Sequence, residues 1–112
     1  MENMTETVRQ QMRKGLIEYC ILLVLSRGEA YASTILDELS KAGIPIVEGT
    51  LYPLLIRQKN QELLTYRWEE SPQGPPRKYY TITDKGRRQL EEMMKVWNEI
   101  TDSINKLGNG KD

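Results

Sequence analysis

The side chains best suited to chemistry lie mid-chain, in Glu48-Gly-Thr-Leu-Tyr-Pro-Leu-Leu-Ile-Arg57 and the Gln58-Lys59 that follows. At helical spacing Leu51, Leu54 and Leu55 make one apolar face. The other side carries Thr50, Pro53, Arg57 and Lys59, with Tyr52 beside them. So short a helix does not stand alone in water, and its leucines must pack on other helices. What stays outside is a hydroxyl, a phenol and two cations, a set suited to phosphate oxygens and base edges. Glu48 would repel phosphate, but it can accept a hydrogen bond from cytosine N4 or favour the helix start. Taken alone, these residues favour a helix whose outer face is merely hydrated. Their neighbours reverse that reading.

Composition excludes several function classes. The chain has 112 residues, the size of one domain, and its apolar share of 38% is low, so a partner subunit would help its core. It has no histidine and a single cysteine, Cys20. Imidazole acid–base chemistry, His-ligated metal sites, thiolate metal clusters and a disulfide framework are thereby excluded. With no phosphate-cradling glycine loop either, no catalytic constellation emerges, and no cofactor is called for. Residues 1–14 are polar and lack the apolar stretch of a signal peptide. The most apolar run, Leu16–Leu25, contains Glu18 and falls far short of the roughly 20 residues a membrane span needs. A cytoplasmic protein is expected. The 16 basic and 16 acidic residues cancel, which counts against a nucleic-acid binder unless a local basic patch outweighs the sum.

The elements around the central stretch follow from periodicity and punctuation. A first helix is expected from about Thr5 to Ser26, polar in its first half and apolar nearly all round in its second. The second half reads as buried on most sides, more than one small domain covers. Gly28 marks a turn. A second helix over about Ala30–Ala42 turns Tyr31, Ile35, Leu36 and Leu39 inward, and Gly43 with Pro45 ends it. The central helix follows after a short connector, a helix-turn-helix pattern. Leu64, Tyr66 and Trp68 then alternate with Thr65, Arg67 and Glu69, the period of a strand. Ser71–Pro76 reads as the turn, and Arg77–Ile82 returns with Tyr80 and Ile82 on the buried face. Arg77 and Lys78 sit at the loop end, behind Gly74 and two stiffening prolines. Three helices and a hairpin make a winged helix.

Thr83 and Asp84 suit the start of a last helix, about Asp84–Leu107, roughly 36 Å long at about 1.5 Å per residue. Leu90, Trp97 and Ile104 are spaced by heptads, as are Met93, Ile100 and Leu107. A helix so long overhangs a winged helix, so this face is expected to form a homodimer seam, with Met94 and Val96 beside it. Gly108–Asp112 is expected to be a frayed tail. The fold class is thus mainly α with a β-hairpin wing (α+β). Residues 1–83 form the winged helix-turn-helix, its first helix contributing to the dimer, and residues 84–112 form the dimerisation helix and tail.

Several motifs in order carry a family resemblance from Arg13 to about Ile104. They are Lys14-Gly-Leu-Ile-Glu-Tyr19, Glu48-Gly-Thr-Leu-Tyr-Pro-Leu-Leu-x-Arg57, Leu63-Leu-Thr65, Trp68-Glu-Glu70, Gly74-Pro-Pro-Arg-Lys-Tyr-Tyr80 and Thr83-x-x-Gly86. The chain resembles the PadR family of transcriptional regulators, in the branch with a single C-terminal helix. The resemblance implies a homodimer that binds an inverted-repeat operator in double-stranded DNA, usually as a repressor, and releases it when a small aromatic or drug-like effector binds. Glu48, Gly49, Thr50, Tyr52, Pro53, Arg57 and Lys59 would face DNA from the helix, and Gly74, Arg77 and Lys78 from the wing. In this branch a tryptophan on the last helix lies near the twofold axis. Trp97 would therefore flank the effector or serve only as seam core, and Met12, Met93 and Met94 would line the same space or simply pack. Three residues depart from the pattern: Val47 replaces a capping residue, Gln58 an apolar one, and Glu62 the glycine that closes the helix. The rival reading is a winged helix that binds protein rather than DNA, kept open by the zero net charge.

Overall fold

The computed structural model describes residues 3–110 and shows, among them, five helices and a three-stranded antiparallel sheet. α1 spans Met4–Arg13, and the Asn3 side chain caps it by accepting from the Thr5 amide at 2.9 Å. α2 spans Ile17–Ser26. The single helix expected from Thr5 to Ser26 is therefore corrected to two. The break falls at Lys14-Gly15-Leu16, where the Leu16 amide bonds the Arg13 carbonyl at 2.9 Å and closes a tight turn. Glycine in a helix interior costs about 1 kcal/mol against alanine, so the interruption is cheapest there. It also divides a helix that buries nothing from one that is mostly buried.

β1 is only Ala30–Tyr31 and pairs with the later hairpin strand, so the next helix starts two residues later than its sequence pattern indicates. That helix, α3 (Ala32–Lys41), buries Ile35 and Leu39, while Tyr31 and Leu36 are only half-buried. Gly43, at φ 89°, reverses the chain after α3, and the Ile44 amide returns to the Leu39 carbonyl at 2.8 Å. α4 (Glu48–Asn60) follows. Its exit places Glu62 at φ 63°, the left-handed conformation in which glycine is the usual residue. The amides of Glu62 and Leu63 close the end on the carbonyls of Lys59 and Gln58, both at 2.9 Å.

β2 (Leu64–Ser71) and β3 (Gly74–Ile82) form the hairpin, with sheet order β1-β3-β2. The turn is shorter than the expected Ser71–Pro76, and Pro75 and Pro76 lie inside β3. The register shifts between Glu69 and Ser71, an irregularity that admits prolines near a strand end. Trp68, in step with Leu64 and Tyr66, is 61% exposed because only the base of the hairpin is covered by the body.

α5 runs Asp84–Asn109. Thr83 caps it, its Oγ1 accepting from the Gly86 amide at 2.9 Å. The frayed tail expected from Gly108 is corrected: Gly108 and Asn109 are helical and Gly110 closes the helix at φ 65°, while Lys111 and Asp112 lie outside the described residues. One core unites Ile21, Leu22 and Leu25 of α2 with Ile35 and Leu39, Leu51 and Leu55, Leu64, Tyr80 and Ile82. Leu90 joins it at 7% exposure, so the first turns of α5 belong to this same core. The radius of gyration is 16.4 Å, against about 13 Å for a compact domain of this length, because α5 overhangs the body.

Candidate nucleic-acid interface

α4 is held by its inner face and leaves the rest open. Leu51 and Leu55 are buried, Leu54 is half-buried, and Val47 offers no side-chain cap. Gln58, where an apolar residue would be usual, is fully buried. Its Nε2 donates to the Glu18 carbonyl of α2 at 3.1 Å, and its Oε1 has no protein partner among the described residues. Glu48, Gly49, Thr50, Tyr52, Pro53, Arg57 and Lys59 are all exposed. Pro53 supplies no amide to the Gly49 carbonyl four residues back. Arg57 is not a free cation: its guanidinium stands 3.5 Å from the Glu18 carboxylate.

The wing places its cations over aromatic rings. Lys78 lies 4.5 Å from the Tyr66 ring centre and 5.5 Å from that of Trp68, and Lys59 reaches Tyr66 from α4 at 5.7 Å. Arg77 covers Tyr31 at 4.1 Å, and Tyr31 stacks on Tyr79 at 4.7 Å. Behind Tyr79 lies Arg67 at 4.8 Å, itself ion-paired to Glu29 and Glu69. A ring face attracts a cation without neutralising it, so the rings orient Arg77 and Lys78 while leaving their charge available. Between wing and helix lies a cleft of about 340 Å³, lined by Glu48 and Tyr52 on one side and Trp68, Arg77 and Lys78 on the other. Gly74 stands at the hairpin tip, paired with Ser71. The structure thus brings together the wing cations with Glu48 and Tyr52, and separates them from Thr50 and Arg57. The supporting role of the Tyr31 and Tyr66 rings was not visible in the sequence: Arg77 stands opposite Glu69 and Lys78 opposite Trp68, and each supporting tyrosine lies diagonally across the sheet.

The α5 face divides. Leu90, expected in the seam, is turned into the chain's own core, and Met93 packs partly against that core. Met94, Trp97, Ile100, Ile104 and Leu107 are exposed, from 41% at Trp97 to 83% at Leu107. Trp97 approaches Tyr19 of α2 at 6.5 Å and lines an apolar groove of about 280 Å³ with Tyr19, Cys20, Leu23 and Ile44. Met12, Met93 and Met94 do not line that groove. Burial raises the Cys20 thiol pKa, which disfavours the reactive thiolate. Among the described residues no acidic or cysteine cluster is arranged to hold a metal, and no helix is long and apolar enough to cross a membrane.

The profile of the transcriptional regulator PadR-like family matches residues 21–92, from mid-α2 into α5. The chain belongs to the PadR-like family of transcriptional regulators. A PadR-like transcription factor from Bacteroides fragilis is 52% identical, with a TM-score of 0.77 over 90% of this chain and 98% of that one. A PadR family transcriptional regulator from Eggerthella lenta is 37% identical, with a TM-score of 0.83 over 96% and 93%. Bacillus subtilis PadR, solved in complex with operator DNA, is 23% identical with a TM-score of 0.66. It shares the fold over 70% of this chain and 46% of its own. In this chain the short β1, paired with β3, ties the wing to the helices.

Proposed function

We propose that this PadR-like chain is a homodimeric repressor of an inverted-repeat DNA operator, released by a small aromatic or drug-like effector. The observation that carries the DNA reading is the cleft between α4 and the wing, where Arg77 and Lys78, without an ion-pair partner among the described residues, are set against Tyr52 and Glu48. In this reading α4 enters the major groove and the wing follows the adjacent backbone or minor groove. That Bacillus subtilis PadR binds operator DNA supports it. The exposed apolar face of α5 and the elongated shape favour a second copy of the chain as its cover. The apolar groove beside Trp97 suits a flat aromatic ligand, and its place against α5 would let a ligand alter the angle between subunits. A preference of about 1–3 kcal/mol for the wrong angle would loosen the operator about five- to 150-fold.

The test is a binding titration over a salt series on DNA from the promoter of the protein's own gene. Arg77→Ala with Lys78→Ala should weaken binding to every sequence, and the log–log salt slope should fall by about 0.9 for each phosphate no longer neutralised. An unchanged slope would remove the wing from the interface. Absence of any salt-dependent binding by the parent would favour the protein-binding module, the reading that zero net charge supports.

A further inference from the structure

Away from the wing, α4 has a second flank with its own groove. At about 3.6 residues per turn, Thr50, Leu54 and Arg57 make one stripe along α4, while Glu48, Tyr52 and Lys59 make the stripe that faces the wing. The Thr50 stripe forms one wall of a groove of about 650 Å³. The opposite wall is the break between α1 and α2, where Arg13, Lys14 and Glu18 line it. Three cations therefore meet one carboxylate there. Arg13 is drawn toward Glu6 at 3.6 Å, whereas Lys14 is exposed and has no ion-pair partner among the described residues.

A helix in a major groove about 12 Å wide lies between two phosphate backbones. The wing serves one of them. The cations on the other flank of α4 are those of this groove.

We propose that this groove is a second DNA-backbone contact, with Lys14 and Arg57 facing the strand the wing does not reach, and that Glu18 competes with its phosphates for Arg57. The inference rests on the DNA-binding reading above. Glu18 is built for such competition. Its side chain is 25% exposed, and its carboxylate stands 3.5 Å from the Arg57 guanidinium. Its main chain is pinned to α4 by the fully buried Gln58 at 3.1 Å. The two helices cannot separate at this point without stranding a buried amide, so the carboxylate stays beside Arg57 until a phosphate displaces it. Gly15, with nothing within 4 Å of the point where a Cβ would stand, leaves this corner open to an approaching backbone.

The experiment uses the full-length chain and a labelled random-sequence duplex, followed by fluorescence anisotropy from low to moderate salt. Lys14→Gln should weaken binding and lower the salt slope by about 0.9. Glu18→Gln keeps the main-chain acceptor; it should tighten binding several-fold and steepen the slope by a similar amount. Removing any acidic charge would also favour DNA, so Glu18→Gln is repeated in an Arg57→Gln background. There its effect should vanish, because competitor and cation act as a pair. If Lys14→Gln keeps the parental slope, the groove is not a backbone contact. If Glu18→Gln helps equally without Arg57, or weakens binding, the competition is overturned. Lack of salt-dependent binding by the parent overturns the DNA reading itself, and this inference with it. Melting curves of each variant check that it is folded.

Discussion

Gly86→Ala tests how α5 is set against the chain that leaves α4. An added Cβ would stand 2.0 Å from the Leu63 carbonyl oxygen and 2.8 Å from Cγ1 of Ile82. A carbon and a carbonyl oxygen come no closer than about 3.3 Å in favourable contacts, so the junction must open by more than 1 Å, roughly. It has little freedom to do so. The Leu63 carbonyl already accepts the Thr83 amide at 3.1 Å, Thr83 Oγ1 donates to the Glu62 carbonyl at 2.7 Å, and the same oxygen accepts from the Gly86 amide. Overpacking costs about 1–3 kcal/mol, and each broken hydrogen bond costs about 1 kcal/mol more. Alanine's better helix propensity returns about 1 kcal/mol. The net expectation is a loss of about 3 kcal/mol. With a urea m-value of about 1–3 kcal/mol per molar, the unfolding midpoint should fall by about 1–3 M at fixed protein concentration. A midpoint unchanged from the parent would refute the close approach, and with it the physical account of Thr83-x-x-Gly86.

Three further outcomes are expected. Glu62→Gly should stabilise the chain by about 0.5–1 kcal/mol: relief of the left-handed conformation, about 1–2 kcal/mol, outweighs the extra entropy of an unfolded glycine. A lower urea midpoint would sink that argument. Ile100→Asp, at a 46% exposed position outside the core, should leave the chain folded but halve its mass in sedimentation. Retention of a dimer would place the seam elsewhere. Cys20, its thiol pKa raised by burial, should react with iodoacetamide more slowly in the native chain at pH 7 than in urea; equal rates would mean it is not packed as described.

Where local chemistry decides the backbone, the chain was legible. Gly43 ends α3, Thr83 starts α5, and the alternation of Leu64, Tyr66 and Trp68 is a strand. The losses came where the deciding partner is remote. Ala30–Tyr31 is too short to show a period and becomes a strand only because β3 lies alongside. Heptad spacing marks an apolar stripe but not its occupant, so Leu90, buried at home, looked the same as exposed Ile104. The break at Gly15 was hidden because apolar periodicity resumes at once in α2, and a lone glycine is tolerated within many helices. In the candidate interface the exposed residues were visible in the motif. Their restraints were not: Glu18 on Arg57 and Tyr31 under Arg77 join residues far apart in sequence.

Those restraints also answer the objection from net charge. A formal charge of zero would weaken a polyanion binder only if its charges were spread evenly. They are not. Several cations away from the α4–wing cleft are paired with carboxylates: Arg9 with Glu6, Lys41 with Asp37, Lys95 with Glu92, and Arg67 with Glu29 and Glu69. Around the cleft Lys59, Arg77 and Lys78 rest on aromatic rings, which fix a position without cancelling a charge. The Debye length is about 8 Å at physiological salt, so a phosphate meeting the wing feels these neighbours far more than the distant acids of α5. The sum over the chain therefore bears on solubility, while the tyrosines of the sheet hold the wing cations in place with their charge intact.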